Sequence, residues 1–146
     1  MDKQIKDLAE LGAEAVRFVK EINPRDEGAT LVTLSGELGA GKTAFTKAVA
    51  SALGIAEIVN SPTFVIEKIY KLESKVTKFK RLVHIDAYRL ESGKDLMPLG
   101  FDELMQDTGN LILLEWPEMV EDILPTPSVK VSFVALPDAS RTISYG

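Results

Sequence analysis

The sequence contains no cysteine and a single histidine, His84. The first absence excludes disulfides, thiolate nucleophiles and zinc sites built on cysteine. The second excludes a multi-histidine metal centre and leaves any Ser-His-Asp triad dependent on His84 alone. A net charge of −5 gives no global attraction for a polyanion, whereas a protein that grips RNA unaided normally shows a basic face. No apolar stretch approaches the length of a membrane span, and the charged opening Asp2-Lys3-Gln4-Ile5-Lys6-Asp7 has no apolar signal core. A cytoplasmic protein is expected. The arginines Arg17, Arg25, Arg81, Arg89 and Arg141 are scattered, so neither an arginine-rich lid nor an arginine finger is marked.

What is present begins with size and apolarity. The 146 residues are 45% hydrophobic, enough for one domain over residues 1–146 with its own core. Residues 36 to 43 read Gly36-Glu37-Leu38-Gly39-Ala40-Gly41-Lys42-Thr43, the spacing G-x-x-x-x-G-K-S/T of a phosphate-binding loop. Glycines allow the backbone to turn through φ > 0, and its N–H groups can then surround a pyrophosphate at the positive end of the following helix. In this pattern the lysine, Lys42, reaches the β- and γ-phosphates and the hydroxyl of Thr43 ligates Mg²⁺. By average glycine usage and similar frequencies, a random chain of this length shows the pattern about once in two hundred. Context adds weight. Ala29-Thr30-Leu31-Val32-Thr33-Leu34 reads as a buried parallel strand, and Ala44, Phe45, Ala48, Val49 and Leu53 recur at helical spacing up to Gly54. The expected nucleotide contacts along the loop are therefore Gly36, Leu38, Gly39, Ala40, Gly41, Lys42, Thr43 and Ala44.

Elsewhere, Ile5, Leu8, Leu11, Ala15, Phe18, Val19 and Ile22 predict an amphipathic N-terminal helix ending before Asn23-Pro24. An extended run through Tyr70, a polar tip at Glu73-Ser74-Lys75 and a second run from Phe79 to Asp86 predict an antiparallel hairpin. Asp95 to Gln106 predicts helix, split by Pro98-Leu99-Gly100. Leu111 to Leu114 predicts a second buried strand ending at Glu115, followed by a short helix after Pro117. Val129–Leu136 and Arg141–Tyr145 predict a closing hairpin. The cluster Lys68, Lys71, Lys75, Lys78, Lys80 and Arg81 reads as a solvated hairpin tip that guards a sheet edge, ahead of a contact for RNA or an acidic partner.

A triphosphate site of this kind needs a carboxylate at a strand end near Mg²⁺ and a group that orients the attacking water. Asp86 and Glu115 each end an apolar run, and either one fits the metal-supporting role. Trp116 follows directly and suits either a packing role or stacking on a base. Thr63, in Ser61-Pro62-Thr63, stands where a switch threonine would sense γ-phosphate and Mg²⁺, or is a plain turn residue. His84, with no partner visible in the sequence, reads as structural.

Taken together, Gly36 to Thr43, Ser61-Pro62-Thr63-Phe64, His84-Ile85-Asp86-Ala87-Tyr88-Arg89-Leu90 and Glu115-Trp116-Pro117-Glu118 resemble, in order and spacing, the TsaE (YjeE-type) ATPases. The resemblance implies an α/β fold, a P-loop NTPase-like three-layer sandwich with a mixed sheet, parallel at its core and antiparallel in its hairpins. It implies ATP and Mg²⁺ as cofactors, slow ATP hydrolysis, and a role in forming threonylcarbamoyladenosine in tRNAs that read codons beginning with A. TsaD-like and TsaB-like proteins are the implied partners. By motif, Lys42, Thr43 and Thr63 serve nucleotide and metal, Asp86 and Glu115 are the functional acids, Trp116 lies beside them, and Arg141 resembles the nucleotide-contacting C-terminal arginine. The same loop also serves small kinases and nucleotide-gated binding modules, which are the competing readings.

Overall fold

The computed structural model describes residues 2–37, 39–55 and 66–146. One mixed sheet of seven strands organises them: β1 (Asp2–Ile5), β2 (Thr30–Gly36), β3 (Glu67–Lys71), β4 (Arg81–Asp86), β5 (Asn110–Glu115), β6 (Val129–Ala135) and β7 (Arg141–Tyr145), in the order β1-β7-β6-β2-β5-β4-β3. The pairs β2–β5, β2–β6 and β4–β5 are parallel, and the outer pairs β1–β7, β6–β7 and β3–β4 are antiparallel. The inner parallel strands β2, β4 and β5 are the apolar runs, as burial on both faces requires, whereas β6 alternates buried and exposed residues. Both predicted hairpins, β3–β4 and β6–β7, form.

Two apolar clusters sandwich the sheet. On one side α1 (Leu8–Glu21) and α2 (Lys42–Ala52) supply Leu11, Ala15, Phe18, Phe45 and Val49 against Val32, Leu34, Leu111, Leu113, Val131 and Ile143. On the other, the 3-10 segment Gly93–Leu99 and α3 (Phe101–Met105) bring Leu96 and Phe101 onto Leu31, Val83, Ile85, Ile112 and Leu114. The result is three layers, as the resemblance implied. Gly100, at φ 73, separates the 3-10 segment from α3, which accounts for the interruption read at Pro98-Leu99-Gly100.

The N-terminus departs from expectation. Ile5 belongs not to the first helix but to β1, paired with Arg141 of β7. The cause is a reciprocal cap: the Asp7 side chain accepts the Glu10 N–H at 2.9 Å, and Glu10 accepts the Lys6 N–H at 2.8 Å. This fixes the helix start at Leu8 and leaves Asp2–Ile5 extended. Leu8 is exposed and Ile22 lies just past the helix end. Among the described residues no helix is long and apolar enough to cross a membrane.

Candidate functional site

Strands β2, β5 and β4 run parallel, so their C-terminal ends share one edge of the sheet, the edge at which open α/β folds bind ligands. The glycine loop leaves β2 at this edge and enters α2. Gly36 has φ 148, and a Cβ there would lie 2.6 Å from the Phe133 carbonyl oxygen of neighbouring β6. Gly41, the N-cap of α2, has φ 113, and a Cβ there would meet the Arg141 guanidinium. Gly39 also has positive φ, Ala40 is buried and donates its N–H to the Glu37 carbonyl at 3.0 Å, and Ala44 packs on the α1/α2 side of the core. Leu38 and Thr63 lie outside the described residues.

The mouth of α2 has the chemistry of an anion site. Among the described residues its N-terminus carries no side-chain cap and no acidic residue in its first turn, so the positive end of the dipole and the orphan N–H groups suit an anion. Lys42 is buried. Its Nζ donates to the Gly36 carbonyl and, at 3.3 Å, to that of Glu37, and it lies 3.6 Å from the centre of the Trp116 ring. Burial lowers the Lys42 ammonium below the usual lysine range, against the opposite pull of Glu115, Glu118 and Asp86.

Behind the lysine lies a hydroxyl–carboxylate–imidazole chain. Thr43 Oγ1 donates to Glu115 Oε1 at 3.2 Å, and Glu115 Oε2 lies 2.6 Å from His84 Nε2. Glu115 and His84 are each 1% exposed. Asp86 stands directly opposite Glu115 in the β4–β5 register, and its Oδ1 accepts the Tyr88 N–H at 3.0 Å. The Trp116 backbone is left-handed, φ 60, a conformation that costs energy for a bulky side chain, and its ring lies 5.0 Å from that of Tyr88. The edge thus gathers Lys42, Thr43, Asp86, Glu115, Trp116 and Arg141.

One reading of the sequence changes here. His84 does have a partner, the carboxylate of Glu115. Alternation along β4 carried the missed signal, because His84 and Asp86 face the same side two residues apart. Arg141, assigned by resemblance to the nucleotide-contacting end, lies against Gly41 at the start of α2. The lysine-rich hairpin tip, by contrast, sits at the N-terminal end of β4, away from the site. There Lys75 pairs with Glu73 at 3.3 Å, and Arg81 pairs with Asp107 and donates to Asn110 at 2.7 Å.

The donor set fits a nucleotide with Mg²⁺. Among the described residues no three of His, Asp and Glu cluster closely enough to hold a metal by themselves. A threonine hydroxyl with strand-end carboxylates is instead the partial set that suits an ion which keeps waters and shares phosphate oxygens.

Fold and loop define an α/β protein of the P-loop NTPase-like class. The chain belongs to the TsaE family: the model of the threonylcarbamoyl adenosine biosynthesis protein TsaE matches residues 3–143. It is 40% identical over 115 residues, 79% of this chain and 68% of the relative, to the tRNA threonylcarbamoyladenosine biosynthesis protein TsaE of Bacillus subtilis. The protein of that name from Treponema pallidum is 35% identical over 144 residues, 99% of this chain and 96% of the relative. The crystal structure of Bacillus subtilis YdiB superimposes with a TM-score of 0.76 at 30% identity, covering 99% of this chain and 83% of that one.

Proposed function

We propose that the chain acts as a single, slow, Mg²⁺-dependent ATPase domain that serves threonylcarbamoyladenosine formation in tRNAs reading A-starting codons, together with TsaB-like and TsaD-like partners. One observation carries the ATP reading: Lys42, Thr43 and Glu115 meet at the uncapped N-terminus of α2, with Asp86 beside Glu115 on the adjoining strand.

In this reading Lys42 is the cation for the β- and γ-phosphate oxygens, and the first-turn N–H groups of α2 cradle the phosphates. Thr43 would supply a hydroxyl to Mg²⁺, which when bound would neutralise phosphate charge. Glu115 and Asp86 share two duties, support of the metal and orientation of the attacking water. Trp116 shields Lys42 from solvent on one side, and Arg141 adds positive charge beside Gly41.

No arginine is placed to act as a finger by any motif, and P-loop hydrolysis without one runs at about 10⁻⁴ to 10⁻² per second. The isolated chain should release phosphate in that range and accelerate when TsaB-like and TsaD-like partners are added; fast turnover alone would refute the slow-ATPase reading. Mg-ATP should raise the melting temperature of the wild-type chain, and Lys42→Ala should lose that shift. A shift that survives the substitution would reject the loop as the ATP site.

A further inference from the structure

His84 is the only histidine of the chain, and it is buried against a carboxylate. We propose that His84 is a positioning residue for Glu115: an Nε2–H donated to Oε2 fixes the carboxylate plane and keeps Oε1 turned toward Thr43. The proposal rests on the reading of this edge as an ATP and Mg²⁺ site.

Register sets up the contact. On β4 and β5, Asp86 stands opposite Glu115 and His84 opposite Leu113, so the imidazole approaches Glu115 diagonally, one step deeper in the sheet than Asp86. Leu82 and Leu113 are buried in the α1/α2-side core, so this contact sits at the inner wall of the site. The 2.6 Å separation is below the ordinary N–H···O distance of about 2.9–3.0 Å, the direction in which a charged partner shortens a hydrogen bond. A carboxylate in its ionised form only accepts, so the proposal puts the shared hydrogen on the imidazole, at Nε2.

The consequence falls on Glu115. Rotation of a glutamate carboxylate about its last bond is soft and roughly two-fold. The Thr43 hydroxyl at 3.2 Å is itself a rotor and restrains that rotation weakly. The rigid, buried imidazole does not rotate to follow the carboxylate, and with Glu115 itself 1% exposed there is little room for solvent to compete. His84 therefore determines which way the free electron pairs of Oε1 point, acting through Glu115. A packing role would ask only for bulk. This geometry asks for a donor at one atom.

The single histidine makes the test direct. In long-range ¹H–¹⁵N spectra of the full chain, the two ring nitrogens belong to His84 alone. We expect a protonated Nε2 whose resonance moves on Glu115→Gln, and moves again on saturating Mg-ATP but much less on ATP with EDTA. An Nδ1–H tautomer, or ring signals indifferent to Mg-ATP, would overturn the proposal. In turnover, His84→Leu should lower kcat at least tenfold with KM for ATP changed less than about threefold, and should raise the Mg²⁺ needed for half-maximal rate. His84→Gln, which offers an amide N–H near the position of Nε2, should recover most of kcat. Equal failure of both variants in melting temperature, KM and kcat would mark His84 as purely structural. The two readings fail separately. Without an ATP site the wild type shows no ATP-dependent melting shift, while the tautomer and the response to Glu115→Gln still report the hydrogen bond. If positioning alone is wrong, the ATP shift persists beside a silent imidazole.

Discussion

Glu115 has both carboxylate oxygens engaged, one by the Thr43 hydroxyl and the other by His84, so its orientation is held from two sides. A similar constraint acts on the backbone at Gly41, where φ 113 suits glycine and strains any other residue. Gly41→Ala should cost about 1–3 kcal/mol from that conformation alone, and the new methyl would push the Arg141 guanidinium aside. Chemical denaturation of the two proteins checks the cost; an unchanged midpoint would mean the loop relaxes freely. Lys42, Thr43, Asp86 and Glu115 were legible in the sequence because each sits in a local pattern, a glycine spacing or an acid ending an apolar run. The role of His84 was not, because its partner lies 31 residues further along the chain. Trp116 was open between stacking and packing, and its ring lies over Lys42, a cation contact that composition does not encode.

Among the elements, α1 illustrates how local chemistry overrides periodicity. Ile5, Leu8 and Leu11 share helical spacing, yet the Asp7–Glu10 cap starts the helix at Leu8 and frees Ile5 for β1. The same helix carries a buried acid, Glu14, which accepts hydrogen bonds from Arg17 and from the Tyr145 hydroxyl of β7 and lies 3.8 Å from Lys3. Burial pushes the Glu14 carboxyl upward, but these hydrogen bonds and the charges of Arg17 and Lys3 outweigh it and hold the group below the ordinary carboxylate value. A lowered native value means stability that is present above the unfolded carboxylate range and lost as pH falls through the native one. Glu14→Gln should therefore melt lower than wild type near about pH 7, with the gap closing below about pH 4. A gap of constant size across that range would show that packing, not charge, makes the contact. Nothing in the sequence announced this cluster, since Glu14 and Tyr145 meet only once α1 lies on the sheet.

For the molecule as a whole, the three layers depend on aromatic packing between helix and sheet. Phe45 of α2 is fully buried, with ring centres of Phe18 and Phe133 each 5.5 Å away in edge-on geometry. Phe45→Ala should destabilise the fold by about 3–5 kcal/mol in denaturant titration; a loss near 1 kcal/mol would mean that the layers close over the gap. The strand–loop–helix order, both hairpins and the buried parallel strands were legible from apolar runs and turn residues. The placement of β5 between β2 and β4, and of β1 beside β7, was not, because sheet order is settled by long-range packing that single runs do not record.

That placement of β5 makes the site a test of correct folding. Thr43 and Glu115 are 72 residues apart in the chain and are joined only through the alignment of β5 with its two neighbours. Slipping β5 by one residue would reverse every side chain it carries. Glu115 would turn to the face now held by Ile112 and Leu114, and an apolar residue would stand before the Thr43 hydroxyl. A misaligned sheet could still be compact and apolar inside, yet it would lack the acid that His84 and Thr43 share. Only a chain with β2, β5 and β4 in step presents that carboxylate at the loop.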